Sequence, residues 1–446
     1  MKQILWFRRD LRISDNAILA HAKGEVLPIF IFDINILDKL PSTDKRITFL
    51  YRSVLKLKQE LQAIGLDLAI FYGDPKTLFE AFKTKGFERV LCSVDNDHYA
   101  KARDKKIDKI IKLKRFNDSF LIDPKNVLNK NNMPYKVFTP FYNSLNYLWE
   151  ANRIEPFTLS KKMHKIDFDY TTCPTLRHMG FIKQDLPPFL LQTRDELLTA
   201  FKNKLSNYTE DRDFISISGT SQLSVHLRFG LISPKEVFNI FRSLPKSKAY
   251  IRQLFFREFY NYLLYHFPQS QFQNHKDLEI EWHNNKKDFE KWSTGKTGVP
   301  IVDAAMKHLN ATGLMHNRLR MIVASYLTKN LLIDWRWGEA YFAKKLLDYE
   351  ASSNIASWQW AASTGTDAVP YFRIFNPYLQ SKKFDKEGTF IQSILPQLAN
   401  IDTKLLHQEN GVQSNLFLDY PQQLISIKES RERAIKTFKK ANYENA

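Results

Sequence analysis

The sequence predicts an α/β fold, in which an N-terminal, doubly wound parallel sheet of Rossmann-like shape is followed by an all-α domain. Short apolar runs alternate with helix-like stretches over residues 1–130, which is the βαβ pattern of a parallel sheet. Prolines and asparagines interrupt residues 131–190. From about residue 191 onward, apolar residues recur at the helical period of 3.6. A chain of 446 residues is long enough for two or three domains.

Four apolar runs in the first 130 residues are predicted to be buried parallel strands, separated by four amphipathic helices. The predicted strands are residues 3–7, 26–32, 66–72 and 89–94, and the predicted helices are residues 17–23, 47–64, 75–85 and 100–114. No glycine pattern of the dinucleotide-binding type follows the first strand. The Rossmann-like shape therefore does not imply nicotinamide chemistry.

The remaining chain is predicted to be a linker and a helical domain. The expected boundaries are 1–130 for the α/β domain, 131–190 for the interdomain linker and 191–446 for the helical domain. The last helix is expected at about residues 422–441, with one charged and one apolar face.

Charge and cysteine content narrow the possible partners. The chain has 66 basic and 48 acidic side chains, a net charge of +18, which favours an anionic partner, nucleic acid before an acidic membrane surface. Cys92 and Cys173 are far apart and form no CxxC pair, so neither a disulfide framework nor a metal site is predicted. The N-terminal apolar run is too short for a signal peptide. No apolar run approaches the ~18 residues of a membrane span, and a cytoplasmic location is expected.

Tryptophan is concentrated in one region of the predicted helical domain. Six of the eight tryptophans stand at positions 282, 292, 335, 337, 358 and 360. The same region contains Arg318 and Arg320, flanked by Asn317 and Asn354. Indole is easily oxidised by a neighbouring excited cofactor, and arginines beside aromatic rings suit a site that grips phosphates and stacks bases. The combination indicates redox photochemistry on nucleic acid.

A short hydroxyl-rich segment runs from Gly219 to Ser224. Its side-chain hydroxyls and the free N–H groups of a following helix could bind a pyrophosphate. The alternative is an ordinary helix N-cap, which Ser and Thr also favour.

Long, ordered strings of residues resemble the photolyase/cryptochrome family over nearly the whole chain. They begin at Trp6-Phe7-Arg8-Arg9-Asp10-Leu11-Arg12 with Asp15-Asn16, and continue at residues 135–141, the Gly219 segment, residues 257–260, 296–303, 372–377 and 383–385. The resemblance is closest to class I photolyases that repair cyclobutane pyrimidine dimers. It implies an antenna-type α/β domain, a helical domain that binds U-shaped FAD, ultraviolet-damaged DNA as the partner, and a monomer.

The resemblance assigns cofactor contacts residue by residue. Asn354 matches the residue beside flavin N5, where an amide can donate or accept as N5 changes protonation; plant cryptochromes have Asp there, so Asn favours repair over signalling. Asp348 is expected to pair with Arg320. The full set of expected FAD contacts is Tyr208, Thr220, Ser221, Gln222, Leu223, Ser224, Tyr250, Arg320, Asp348, Tyr349, Glu350 and Asn354.

Three tryptophans, Trp358, Trp335 and Trp282, match the family's electron-transfer chain for photoreduction. Together with Asn354 they are the expected catalytic residues. Core packing explains any one of these indoles, but it is a weaker explanation for three at matching positions.

The resemblance also assigns the DNA side. The residues expected to contact lesion or DNA are Gln253, Phe256, Arg257, Tyr260, Asn317, Arg318, Met321, Trp360 and Gln380. Photolyases specific for the (6-4) lesion have histidines where this chain has Asn317 and Met321, so the cyclobutane dimer is favoured. Many bacterial dimer photolyases have Glu and Trp where this chain has Gln253 and Phe256.

The second chromophore and three rival functions stay open. Folate-binding relatives carry Asn-Glu where this chain has Tyr99-Ala100 ahead of Lys101-Ala-Arg-Asp104, so folate is not predicted, and another antenna or none is expected. The rivals are a cryptochrome-type blue-light photoreceptor, a (6-4) photolyase, and a flavin-free nucleic-acid-binding protein.

Overall fold

A computed structural model describes residues 2–150, 154–414 and 418–443 of the chain. Contacts within the chain divide it into two units. The first unit comprises Met1–Asn203 and Ser221–Pro268, and the second comprises Lys204–Thr220 and Gln269–Ala446. The domain boundaries near residues 130 and 190 stay a prediction.

A parallel sheet forms the centre of the first unit. Its strands are β1 (Lys2–Phe7), β2 (Gly24–Asp33), β3 (Ala69–Gly73), β4 (Arg89–Ser93), β5 (Lys112–Phe116) and β6 (Met163–Lys165). The order is β3-β2-β1-β4-β5, and β6 pairs with the beginning of β2. All these pairings are parallel, so the chain winds outward from β1 in both directions. The predicted doubly wound sheet is confirmed.

Helices of the first unit surround this sheet and extend beyond it. They are α1 (Ala17–His21), α2 (Ile34–Leu37), α3 (Lys45–Ala63), α4 (Pro75–Thr84), α5 (His98–Asp108), α6 (Phe138–Ser144), α7 (Tyr147–Glu150), α8 (Arg194–Lys204), α10 (Ser224–Phe229), α11 (Pro234–Phe241) and α12 (Lys248–His266).

Both faces of the sheet are buried, because residues of β1 and β2 alternate between two apolar clusters. Leu5 and Phe7 belong to one cluster, and Ile4 and Trp6 to the other. A parallel strand with both faces covered has a continuous apolar run, which explains why these strands were recognisable in the sequence.

Several elements of the first unit were not predicted, among them the short helix α2. The helix expected at 100–114 is wrong in its second half, because α5 ends at Asp108 and the edge strand β5 follows. Only Leu113 of that strand is buried, and charged edge strands of this kind resist pairing with other chains. The expected linker, residues 131–190, is mostly irregular, but it contains α6 and α7 and supplies β6.

The arginines of the Trp6–Arg12 string are paired within the first unit. Arg8 lies 2.8 Å from Asp104, Arg9 3.0 Å from Asp95, and Arg12 2.7 Å from Asp118. Buried charges are tolerated when they are paired and hydrogen-bonded. This string therefore serves the fold of the first unit.

Every regular element in the described part of the second unit is helical. The helices are α9 (Tyr208–Asp211), α13 (Lys286–Thr294), α14 (Pro300–Thr312), α15 (Asn317–Ser325), α16 (Trp335–Lys345), α17 (Ala351–Ala362), α18 (Pro377–Phe384), α19 (Thr389–Ile394), α20 (Thr403–Leu406) and α21 (Ile427–Tyr443). One π-helical turn, Tyr326–Asn330, follows α15. The predicted helical C-terminal part is confirmed. Its last helix begins about five residues later than expected.

The described residues contain neither a candidate membrane span nor a candidate metal cluster. None of their helices has the length and apolar character needed to cross a membrane. Within the same ranges, no group of three or more His, Cys, Asp or Glu side chains is arranged to hold a metal ion.

Candidate functional site

The hydroxyl-rich segment 219–224 ends at an uncapped helix N-terminus. Ser224 begins α10, and its N-cap residue Leu223 makes no side-chain capping hydrogen bond. The Ser221 hydroxyl accepts from the Leu223 N–H at 3.4 Å, and Gln222 adopts a left-handed φ of 56°. Uncapped N–H groups at a helix start attract anions. By contacts, Thr220 belongs to the second unit and Ser221–Ser224 to the first.

Glycine is required at both ends of this region. A Cβ on Gly219 would lie 2.7 Å from the Asp211 Cβ, so a side chain there would displace the α9 end. Gly230 closes α10 with φ of 68°, and a Cβ there would collide with the Arg9 backbone. The Leu11 N–H donates to the Phe229 carbonyl at 3.2 Å. The uncapped helix is thus fixed to the segment that follows β1.

Helix α12 carries four of the expected DNA-side residues and the expected flavin contact Tyr250. The Gln253 side chain is partly buried and donates from Nε2 to the Ala249 carbonyl at 3.3 Å. Phe256 stacks on Phe138, with ring centroids 3.6 Å apart and planes 8° apart. One face of the Phe256 ring is therefore occupied by the protein. Tyr260 on the same helix is partly buried.

Tyr250 is buried between aromatic rings of the first unit. Its ring centroid lies 4.4 Å from that of Phe201 and 5.0 Å from that of Phe241. These contacts place Tyr250 in an apolar core, where aromatic pairs add to the burial energy. Its assignment as a flavin contact stays a prediction.

Arg257 makes contacts with the first unit itself. It donates from Nη1 to the Ser119 carbonyl at 2.7 Å, and its guanidinium lies 4.3 Å from the Phe120 ring centroid. The neighbouring Glu258 accepts from the N–H groups of Leu121 and Ile122, and burial raises the pKa of Glu258 to about 7. These contacts attach α12 to the segment after β5. The assignment of Arg257 to the DNA side stays a prediction.

The expected ion pair between Arg320 and Asp348 is present in the second unit. Arg320 Nη2 lies 2.9 and 2.8 Å from the two oxygens of Asp348, and Nε donates to the Met315 carbonyl at 2.9 Å. The Asp348 side chain is only 8% exposed. Charge-assisted contacts of this kind are short and strong, so the pair fixes α15 against the loop that carries Tyr349 and Glu350.

The partly buried Glu339 fixes the orientation of the Asn354 amide. Asn354 Nδ2 donates to the Glu339 backbone carbonyl at 3.1 Å and to Glu339 Oε1 at 3.0 Å. A backbone carbonyl can only accept, so the nitrogen must face Glu339 and Oδ1 must face away. Oδ1 is then an acceptor. From the sequence, this amide could either donate a hydrogen bond to the flavin or accept one from it. Because Nδ2 is bound to Glu339, we expect the amide to accept. Burial raises the pKa of Glu339.

Glu350 and Tyr349 lie at the start of the helix that bears Asn354. Glu350 is the N-cap of α17 and is 9% exposed, and the Tyr349 hydroxyl contacts Glu339 Oε1 at 3.4 Å. Ser352, 2% exposed, has a buried hydroxyl with no hydrogen-bond partner among the described residues. Tyr208, also expected here, is buried on α9, and burial raises its pKa.

The three expected electron-transfer tryptophans differ in exposure. Trp358 and Trp335 are buried at 2% and 0%, and the Trp335 indole donates to Asn274 Oδ1 at 2.9 Å. Trp282 is partly exposed and packs against Phe438 of α21 at 5.8 Å. The order from buried Trp358 to exposed Trp282 agrees with the expected direction. Their assignment as a chain stays a prediction.

Residues expected on the DNA side share the start of α15 and the helices nearby. Asn317 is exposed, and its Nδ2 lies 3.7 Å from the Met321 sulfur one turn later. Arg318 forms an ion pair of 2.9 Å with Asp213. Trp360 on α17 and Gln380 on α18 are both partly buried. Neither Asn317 nor Met321 can donate a proton as an acid.

Comparisons with known proteins identify the family. Residues 3–157 match the family model described as DNA photolyase, and residues 250–440 match the one described as FAD binding domain of DNA photolyase. A relative from Alkalihalophilus pseudofirmus, named deoxyribodipyrimidine photo-lyase, is 35% identical over 98% of this chain and 97% of its own. The chain belongs to the DNA photolyase family.

Solved structures agree with this photolyase assignment. A bacterial class III photolyase from Agrobacterium tumefaciens is 31% identical with a TM-score of 0.81, and the match covers 99% of this chain and 98% of that one. A Synechocystis cryptochrome is 25% identical with a TM-score of 0.86, covering 98% and 99%. The predicted family and FAD as the cofactor are confirmed.

The residues of this member of the family fit a bound flavin dinucleotide. The uncapped α10 start suits a pyrophosphate, the buried Ser352 hydroxyl is available for hydrogen bonding, and Asn354 Oδ1 is an acceptor. Within the second unit, FAD would be held by Ser352, by Asn354 and by the helices that the Arg320–Asp348 pair connects.

The sequence interpretation did not include Glu339 or Asp213. Glu339 comes fifteen residues before the Asn354 that it orients, and Asp213 is 105 positions from Arg318. Neither separation matches the three- or four-residue spacing at which side chains meet on one helix. The one available signal was the concentration of charge in the segment Glu210-Asp211-Arg212-Asp213.

Proposed function

We propose that this protein is a deoxyribodipyrimidine photo-lyase, a light-dependent repair enzyme that splits cyclobutane pyrimidine dimers in DNA. The observation that carries the proposal is the exposed start of α15, where Asn317 and Met321 lie side by side and offer an amide and a thioether. A pyrimidine dimer can be bound by neutral hydrogen-bonding groups and apolar contacts. The (6-4) lesion instead requires a proton donor, and this pair supplies none.

When bound and reduced, FAD would supply light-driven one-electron chemistry with no net redox change. The protein's own contribution is positional. Glu339 holds the Asn354 amide so that Oδ1 can accept from a ring N–H, which favours the protonated, electron-rich form of the cofactor. This arrangement supports repair over sensing.

The lesion must leave the double helix before it can be repaired, because the bonds to be split lie inside the base stack. In the second unit we propose Asn317, Met321 and Trp360 as lesion contacts. In the first unit, Gln253 and Phe256 stay the lesion contacts expected from the family resemblance. Gln253 can donate to one base carbonyl and accept from one base N–H. Phe256 offers a single ring face, since Phe138 covers the other.

Contacts to the DNA backbone are proposed for a basic cluster, defined as Arg318, Lys382 and Lys383. The Arg318 guanidinium lies 4.1 Å, and the Lys383 ammonium 5.3 Å, from the Phe384 ring centroid. Lys382 and Lys383 are exposed, and Gln380 is on the same helix. Such contacts release counterions, so affinity should fall steeply with salt.

A cryptochrome-type photoreceptor is the alternative function, favoured by the similarity to the Synechocystis cryptochrome. A (6-4) photolyase is less well supported because of Asn317 and Met321. The second chromophore stays open, and the monomeric state and cytoplasmic location stay part of the proposal.

Repair under light tests the proposed function. The purified protein, loaded with FAD and fully reduced, is expected to restore oligonucleotides that contain a thymine dimer under blue light and to leave them unchanged in the dark. Loss of the dimer is measured by chromatography. A (6-4)-containing oligonucleotide serves as control. Unchanged dimers after illumination would contradict the proposal and leave the photoreceptor alternative.

Replacing Gln253 by Glu tests the pocket. The carboxylate cannot donate to the Ala249 carbonyl that Gln253 now contacts, so it is free to face the lesion, where it can accept a base N–H or share a proton. We expect the repair yield per absorbed photon in Gln253→Glu to equal or exceed that of the parent, by up to about twofold.

Gln192→Glu, at an exposed position in the first unit, controls for the added charge. The yield is measured with the dimer-containing oligonucleotide at saturating concentration. A sharp drop in yield for Gln253→Glu alone would show that this residue does not face the lesion.

A further inference from the structure

Arg318 and Arg320 are two positions apart on α15, and each is paired with an aspartate, but the two pairs differ. Arg320 makes two contacts with a carboxylate that is 8% exposed. Arg318 makes one, from Nη2 to Asp213 Oδ1, and the Asp213 side chain is 35% exposed. Single, solvent-accessible ion pairs contribute little stability and exchange partners readily. The Arg318 pair is therefore the one that can open.

Packing keeps the Arg318 guanidinium in place without the carboxylate. The group lies 4.1 Å from the Phe384 ring centroid, and the side chain is 16% exposed. The Ile215 N–H donates to the Phe384 carbonyl at 3.1 Å, so the segment that carries Asp213 is itself attached to the end of α18. Arg318 would keep its position if the carboxylate were neutralised.

We propose that Asp213 occupies the position of a DNA phosphate on Arg318 in the DNA-free protein, so that the two compete. A carboxylate and a phosphodiester present the same kind of anionic oxygen to a guanidinium. DNA binding then exchanges Arg318 from Asp213 to the phosphate. Asp213 is a positioning residue that weakens DNA binding. This inference rests on the proposed DNA contact of Arg318.

Asp213 also links Arg318, the proposed DNA contact, to residues 208–220, a segment that contains expected flavin contacts. It stands between Tyr208 and Thr220, both expected flavin contacts, and two residues after Asp211, against which Gly219 packs closely. Releasing Arg318 to DNA removes the one ion pair that the structure records between Asp213 and α15. The exchange thus takes place within the segment expected to hold FAD.

The experiment compares Asp213→Asn with Glu210→Gln in the FAD-loaded protein. Glu210 is exposed on α9, three residues earlier, so both variants gain one unit of net charge. We expect Asp213→Asn to bind both dimer-containing and undamaged duplexes about two- to fivefold more tightly than Glu210→Gln, because the competitor is lost. Asp213→Glu, which keeps the charge, should bind like the parent. Equal affinities of Asp213→Asn and Glu210→Gln would overturn the proposal.

Arg318→Gln separates a failure of this inference from a failure of its premise. If Arg318 contacts a phosphate, the slope of log affinity against log salt should become shallower by about 0.9 in Arg318→Gln, and Asp213→Asn should give no gain in that background. An unchanged slope would overturn both the contact and the competition. A shallower slope with an undiminished gain from Asp213→Asn would overturn the competition alone.

Discussion

Gly338→Ala is expected to destabilise the second unit, although alanine is the better helix former. A Cβ at this position of α16 would collide with the Trp358 ring and would lie 2.7 Å from Leu327 Cδ2. Trp358 is buried at 2%, and its ring is also packed against Phe342 and Trp292, so it has no space to move into. Overpacking of this kind outweighs the ~1 kcal/mol helix preference.

The free energy of unfolding should fall by about 3 kcal/mol, and the melting temperature should fall with it. Circular dichroism of thermal unfolding measures both, with Gly73→Ala as the control, since a Cβ there would meet only Leu78 at an ordinary 3.7 Å. If Gly338→Ala were as stable as the control, the close approach of α16 and α17 would be refuted. Photoreduction should also change, because the added Cβ presses directly on the Trp358 ring.

Trp282→Phe is expected to suppress light-driven reduction of FAD at least about tenfold and to leave repair by the pre-reduced enzyme unchanged. Phenylalanine keeps the contact with Phe438 but is far harder to oxidise than indole. Trp282 is the partly exposed member of the three, so its replacement should disturb folding least. Repair returns its electron to the flavin and therefore needs none from outside the protein. Photoreduction does need an outside electron, so we expect only photoreduction to depend on Trp282.

Trp337→Phe is the matched control, because that indole is also partly buried and packs edge-on against Phe289 at 5.3 Å, outside the expected chain. Absorbance changes under blue light with an external reductant measure the rate. Full photoreduction in Trp282→Phe would refute its place in the chain. A loss equal to that of Trp337→Phe would point to general damage.

Much of the fold could be predicted because buried strands and helices have recognisable patterns of apolar residues in the sequence. Strands β1 to β4 are covered on both faces and therefore read as apolar runs. Strand β5 could not be recognised, since Leu113 is its one buried residue and its lysines continue the basic pattern of α5. A strand at the edge of a sheet leaves only a partial hydrophobic pattern.

The site was predictable mainly through the family resemblance. The Arg320–Asp348 pair was expected on that basis and is present. The Glu339–Asn354 and Arg318–Asp213 contacts were not foreseen, because they depend on how separate helices meet. The role of Arg257 shows the same limit, since only the structure reveals that it donates to the Ser119 carbonyl.

The short strand β6 has a consequence for how this protein could be recombined with its relatives. Residues after residue 130 complete both apolar clusters of the sheet, with Ile166 and Tyr170 in one and Met179 and Phe181 in the other. A chimera joined near residue 130 would lack these side chains on both faces of the sheet, and the beginning of β2 would be exposed. A junction placed after Phe181 would keep these four side chains with the sheet, so exchanged N-terminal segments should fold better with that junction than with one near residue 130.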